Sequence, residues 1–350
     1  MNKTVVIELI VLVVLLVVAF CLGNALMEKD STPAMSAEPE ILPQQTQTTE
    51  STQNTTEPTQ ETTESVQEAM PDITWMTFPE DRQITAKQYF VYDVDAKEFV
   101  TISGAPEDTI YPASVTKLFT CYVALQFLDA EQVITVGEEL SKVVAGSSVA
   151  SLRQGDQLKV SDLVAAMLLP SGNDAAYVLA ANVGKTMEPD GDLDTRVSAF
   201  MKEMNRQAKE VGMTGANFAN PDGIHRENHY MTFSDLAVLG TLSVNNPTIL
   251  ECAGISRMEV EFVAEGAAVG DDTRENGVKW KNTNAIIDPE SEYYCPYATG
   301  LKTGQTPYAG SCLLSSFACG GKTYVVGVFG CPDTEARFQD TLQLFNQTIA

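Results

Sequence analysis

The chain has 350 residues, 44% of them apolar, and a formal net charge of −25. That is enough apolar content to bury one large core, or two small ones. The charge excludes nucleic-acid binding by electrostatics, because a polyanion would be repelled over most of the surface.

In chain order, the first feature is the apolar run LIVLVVLLVVAFCLGNALM, residues 9–27. As a helix it would measure roughly 28 Å, about one hydrocarbon core. It is expected to be a transmembrane signal-anchor behind a short cytoplasmic segment, residues 1–8, with Lys3 favouring a cytoplasmic N-terminus. A cleaved signal peptide is the alternative, since Leu9 to Leu22 has the length of a signal h-region. Either way the bulk of the chain is expected outside the cell membrane, single-pass and extracellular if anchored, secreted or wall-associated if cleaved. Residues 28–80 follow, dominated by Thr, Gln, Glu, Ser and Pro. Such a segment buries too little apolar surface to offset its chain entropy, so a disordered stalk is expected.

The folded domain is expected over residues 81–350. QYFVYDV (88–94) and EFVTIS (98–103) alternate like a hairpin about Asp95-Ala96-Lys97. Ser114 to Leu128 has helical apolar spacing. A second helix is predicted from Val160 to Leu169, stopped by Pro170, and others from near Asn173 through Ala181 and from Thr195 to Val211. Thr232 and Asp235 form a capping box before another apolar helix. Strand patterns return at 298–304, 311–319 and 323–330, and Thr334 to Ile349 reads as a closing helix. Strands first, helices in the middle and strands last imply an α+β fold. One antiparallel sheet takes strands from both ends of the domain, beside a helical subdomain.

Three short stretches could carry chemistry. In YPASVTK, Ser114 and Lys117 are three apart, so on a helix the amine reaches the hydroxyl. Desolvation would free that amine as a base. The same spacing also suits a capping serine and a solvated lysine. In LLPSGNDAA, Ser171-Gly172-Asn173 makes a tight turn that could present a hydroxyl and an amide to a cleft, or simply join two helices. In GLKTGQT, Lys302, Thr303 and Gly304 close a strand-like stretch; the first two could meet a carboxylate, and the glycine clears space along the strand.

In this order the three resemble the signature of the serine penicillin-recognising enzymes. With FANPDGIHRENHYMT and KNTN, the sequence is similar to the low-molecular-mass penicillin-binding proteins, serine-type D-alanyl-D-alanine carboxypeptidases of the S11 peptidase type. The resemblance implies a β-lactamase/transpeptidase-like fold and a peptidoglycan stem peptide ending in D-Ala-D-Ala as substrate. It implies β-lactams as covalent inhibitors and no cofactor or metal. Ser114 would be the nucleophile, Lys117 would accept its proton, and Ser171 would relay a proton to the leaving D-alanine. Asn173 would bind the substrate backbone and help hold Lys117. Lys302 and Thr303 would meet the terminal carboxylate, beside Gly304. The backbone N–H groups of Ser114 and Gln305 would form the oxyanion hole. Gln305 stands where relatives often carry histidine. The competing readings are a β-lactamase of related fold, for which Glu210 is the candidate deacylating residue, and a non-catalytic receptor for β-lactams or muropeptides.

Smaller expectations concern the remaining polar groups. His225 and His229 are loop residues near a helix start, although a Ser-His-Asp triad stays open from spacing alone. Asn282 and Asn284 shape the sheet edge beside Lys302. Six cysteines beyond Cys21 read as small buried hydrophobes, with pairing of some left open.

Overall fold

A computed structural model of the protein describes residues 78–267, 274 and 277–349. The apolar run at 9–27 and almost all of the 28–80 segment lie outside the described residues. Among the described residues no helix is long and apolar enough to cross a membrane.

A five-stranded antiparallel sheet is built from both ends of the domain. Strands β1 (Gln88–Asp93) and β2 (Glu98–Ile102) come first in sequence. The short strands β3 (Thr109–Ile110), β4 (Val133–Thr135), β5 (Gln157–Lys159) and β6 (Met231–Thr232) pair outside this sheet, β3 with β6 and β4 with β5, and strands β9 (Ala298–Thr306), β10 (Gly310–Cys319) and β11 (Lys322–Cys331) come last. The order across the sheet is β2-β1-β11-β10-β9, so the chain's first strand pairs with its last, Phe90 opposite Gly327. Period-two alternation separates the two faces. On β10, Cys312 and Leu314 point into one core, while Leu313 and Phe317 point into the other.

The two faces are covered differently. Helix α7 (Thr334–Ile349) lies on the second face and lays Phe338, Leu342 and Phe345 against it. The first face carries the helical block: α1 (Thr116–Ala124), α2 (Val160–Leu168), α3 (Asn173–Met187), α4 (Leu193–Glu210), α5 (Phe233–Val244) and α6 (Pro247–Gly254). Gly240 lets α5 approach the sheet, since a Cβ there would meet Val325 Cγ1 at 2.6 Å.

Local signals explain the helix ends. The capping box at α5 forms as expected: Thr232 Oγ1 accepts from Asp235 N–H, and the Asp235 carboxylate accepts from Thr232 N–H at 2.8 Å. Helix α2 stops two residues before Pro170, whose ring forbids continuation. One expectation is corrected at both ends. The helix predicted from Ser114 begins instead as a 3₁₀ turn, Ala113–Val115, and the α-helix ends at Ala124. Beyond it, Gln126 and Phe127 donate to Val123 and Ala124 carbonyls, a tightening that unwinds the last turn before Leu128. The hairpin of β7 (Arg257–Val260) and β8 (Val278–Lys281) was not visible in the sequence pattern, nor was α6.

All six cysteines in the described residues, Cys121, Cys252, Cys295, Cys312, Cys319 and Cys331, are buried free thiols. Their burial matches the packing role read from the sequence.

Candidate active site

Ser114 lies in the 3₁₀ turn that feeds α1, and no side-chain cap is made there, so the capping-serine alternative is not what this residue does. One helical turn on, the Lys117 amine donates to Ser114 Oγ at 2.9 Å and to the Asp222 carbonyl at 2.7 Å. Lys117 is completely buried. Burial pushes its amine down to about 8, against the opposing pull of the Asp222 and Asp174 carboxylates. That brings a neutral amine beside the hydroxyl within reach near neutral pH.

Strand β9 is the edge of the sheet and runs beside the serine turn. Gly304 packs against the serine turn: a Cβ on it would lie 2.9 Å from Pro112 O and 3.1 Å from Ser114 N. Only glycine allows that approach. Lys302 is also fully buried, its amine 3.1 Å from Thr303 O. Burial holds its amine well below the usual lysine range, with the Lys117 and Arg337 charges adding to the effect. Gln305, on the same strand, is exposed.

The third element is the turn between α2 and α3. Ser171 adopts a left-handed φ of +64° and Gly172 passes the chain into α3 at Asn173. Both Ser171 and Asn173 are buried. The turn is tied to β9 by a short bridge. Thr283 N–H donates to Leu169 O at 3.1 Å, and the Thr283 hydroxyl meets the Thr303 hydroxyl at 2.5 Å. Asp174 fixes the other side by accepting from Ala150 and Leu152 N–H, and its charge reaches Lys117. Asn173 is not among the hydrogen-bond partners of Lys117; the Asp222 carbonyl takes that place. The three motifs are thus packed together: Gly304 lies against the serine turn, Thr283 links Leu169 to Thr303, the Asp174 charge reaches Lys117, and Ser114 and Lys117 are in direct contact.

The remaining candidates sort themselves. Neither histidine bonds to Ser114, so the open triad reading is not realised. His225 stacks on Tyr308 with ring centres 4.0 Å apart, at a rim completed by Tyr111. His229 is buried behind the serine turn, with Nε2 2.8 Å from Thr116 Oγ1. Asn282 donates to Ala253 and Ile255 carbonyls, and Asn284 donates to Gly300 O, so both shape the edge of the sheet. Glu210 ends α4 with an exposed side chain paired to Arg206, which leaves it no deacylating role in the groove. Sequence reasoning missed Asp222 and Thr283. Both lie in phrases already conspicuous, NPDG and KNTN, but their contacts span 105 and 20 residues.

Known proteins bear on this geometry. Residues 75–332 match the S11 peptidase family, described as D-alanyl-D-alanine carboxypeptidase. The D-alanyl-D-alanine carboxypeptidase of Streptomyces sp. strain K15 is 30% identical over 242 residues, which cover 68% of this chain and 78% of that protein. The carboxypeptidase DacC of Escherichia coli K12 is 28% identical over 274 residues, covering 76% of this chain but only 61% of the longer relative. The crystal structure of the Streptomyces K15 DD-transpeptidase superposes with a TM-score of 0.67 at 27% identity, covering 78% of this chain and 99% of that one.

Proposed function

The chain belongs to the S11 peptidase family, and from that membership and the groove around Ser114 we propose that it is a D-alanyl-D-alanine carboxypeptidase acting on peptidoglycan stem peptides. The observation that carries the proposal is a buried amine, pushed down to about 8, lying 2.9 Å from the Ser114 hydroxyl beside the Lys302-Thr303-Gly304 strand. Neutral Lys117 takes the Ser114 proton as Oγ bonds to the carbonyl carbon between the two D-alanines. The negative oxygen that forms is held by the Ser114 and Gln305 backbone N–H groups, each such donor being worth about 3 kcal/mol in other hydrolases. The C–N bond then breaks. The departing D-alanine nitrogen takes a proton through Ser171, and water hydrolyses the ester on Ser114. Asn173 aligns the peptide. The terminal carboxylate offers the buried Lys302 a charge partner and Thr303 a hydrogen-bond acceptor.

The test is D-alanine release from a peptide ending in D-Ala-D-Ala, with Ser114→Ala as control, together with mass spectrometry of the penicillin adduct. No release and no adduct on Ser114 overturns the proposal. Turnover of a chromogenic cephalosporin at the rate of peptide hydrolysis would favour a β-lactamase, and adduct without D-alanine release a receptor. Since the Streptomyces neighbour is described as a DD-transpeptidase, a glycine acceptor added to the assay tells whether water or an amine takes the acyl group.

The same proposal places the catalytic domain outside the cell, tethered by residues 9–27 and spaced from the membrane by the Thr/Gln/Glu/Pro-rich segment. The support is the length and apolarity of that run and the composition that follows it. Membrane fractionation with protease shaving of whole cells tests it; domain recovered only in the medium would show cleavage instead.

A further inference from the structure

Thr116 is a fully buried hydroxyl one residue from Lys117, and the chemistry above gives it no part. It donates to the Ala113 carbonyl at 2.8 Å and lies 2.8 Å from His229 Nε2. His229 Nδ1 accepts the Ala219 N–H at 3.2 Å. A neutral imidazole that accepts at Nδ1 carries its proton on Nε2. The order is therefore fixed: His229 Nε2–H donates to Thr116, and Thr116 donates to Ala113.

Ala113 is unusual in its own right, a non-glycine residue at φ +49° immediately before the nucleophile. Its carbonyl also accepts the Thr116 backbone N–H, and Gly223 packs closely against it, since a Cβ there would stand 2.0 Å from Ala113 O. The Ala113 carbonyl and the Ser114 N–H share one planar peptide and point in opposite directions. Holding the carbonyl against Thr116 therefore also fixes the direction of the Ser114 N–H, whose nitrogen is packed by Gly304 and Gly223.

We propose that His229, acting through Thr116 and the Ala113 carbonyl, is a positioning residue that sets the direction of the Ser114 N–H and so preforms half of the oxyanion hole. This rests on the acyl-enzyme reading of Ser114. Its chemistry is a relay of orientation, with no proton leaving His229. The ring is suited to that task. Burial, with the charges of His225 and Lys117, pushes it down to about 4, so it stays neutral at neutral pH. Around it stand Thr116, Ala219 and the edge-on ring of Phe218.

The test separates an oxyanion donor from mere support. A peptidyl boronic acid forms a tetrahedral adduct with a charged oxygen in the hole, whereas a D-Ala-D-Ala peptide bound to a Ser114→Ala background reports ground-state binding. Thr116→Val is expected to weaken the boronate by up to about 10²–10³-fold, the range for loss of one oxyanion donor, and to leave peptide affinity within about twofold. Thr116→Ser should restore the boronate. His229→Gln, which keeps a donor and an acceptor, should lose less than His229→Ala. Equal loss of both ligands, or no loss of the boronate, overturns the proposal. A second arm needs no reaction: ¹⁵N NMR should show neutral His229 protonated at Nε2 and a shifted Ser114 amide resonance in Thr116→Val. An unshifted Ser114 amide overturns the positioning role even if penicillin never labels the protein, a failure that would instead count against the enzymatic reading.

Discussion

Two buried charged residues on opposite faces of the sheet show what burial can be used for. Under the second face, Asp340 is completely buried and fully partnered. Its Oδ2 accepts from Thr85 N–H, Thr85 Oγ1 and Ala86 N–H within 3.0 Å, and its Oδ1 accepts from Arg82 at 2.8 Å. On the first face, Lys117 is as deeply buried but, among the described residues, has a hydroxyl and one carbonyl for its three donor positions. The first charge is satisfied and anchors the N-terminal segment to α7. The second is under-satisfied, and burial keeps its amine close to losing a proton. Full hydrogen bonding of the charged amine would stabilise the fold and hold the proton on.

The largest test of this contrast is Lys117→Met, which keeps the length and removes the charge. β-Lactam acylation of Ser114 should fall about 10²–10⁴-fold, the contribution of a positioned base, as followed by stopped-flow or by intact mass. Stability by urea unfolding should stay level or rise, because an apolar side chain replaces an under-partnered buried cation. A stability loss as large as that of a broken buried pair would show that Lys117 is structural after all.

The converse substitution, Asp340→Asn, directs an amide NH₂ at one or other set of donors. Urea unfolding should show a loss of about 3–5 kcal/mol, typical of a buried pair missing a partner. The acylation rate of the folded protein should stay within about twofold of the parent. An acylation defect matching the stability loss would erase the distinction between the two faces.

Much of this was legible because it is local. Period-two alternation marks the strands, Pro170 stops α2, and Thr232 with Asp235 starts α5, each from neighbours within a few residues. The three motifs were legible as a set, and Lys117 reached Ser114 because both lie in adjoining turns of one segment. What escaped depends on distant chain. The Asp222 carbonyl meets Lys117 across 105 residues and His229 meets Thr116 across 113, so neither spacing is periodic. The left-handed backbone at Ala113 and Ser171 is imposed by packing, since neither residue type favours it. The β7–β8 hairpin is short and partly exposed, and that leaves too little apolar alternation to read.

A pH series sharpens the contrast further. With Lys117 titrating at about 8, acylation should climb about tenfold per unit below pH 8 and level off above it. Stability follows with a definite sign. The unfolded lysine titrates near 10.5, so between pH 8 and 10.5 the unfolded chain holds a proton that the folded chain has shed. Stability must then rise with pH through that window, and Lys117 contributes no pH dependence below it. The difference in unfolding free energy between the parent and Lys117→Met isolates this effect from other alkaline titrations. A difference that does not change between pH 8 and 10 would contradict the depressed amine.

The smallest expected effect lies in what still holds the Lys117 proton on. Asp222 serves it twice, through its carbonyl and through the charge of a carboxylate whose Oδ2 is buried with no hydrogen-bond partner among the described residues. Asp222→Asn keeps the carbonyl and deletes the charge. The Lys117 amine then loses its main opposing pull, so the acid limb of acylation should move to lower pH with the plateau rate nearly unchanged. Burial also pushes the Asp222 carboxyl up. A limb that stays in place would therefore mean that the carboxyl is already protonated where the lysine titrates, leaving desolvation alone to set the base.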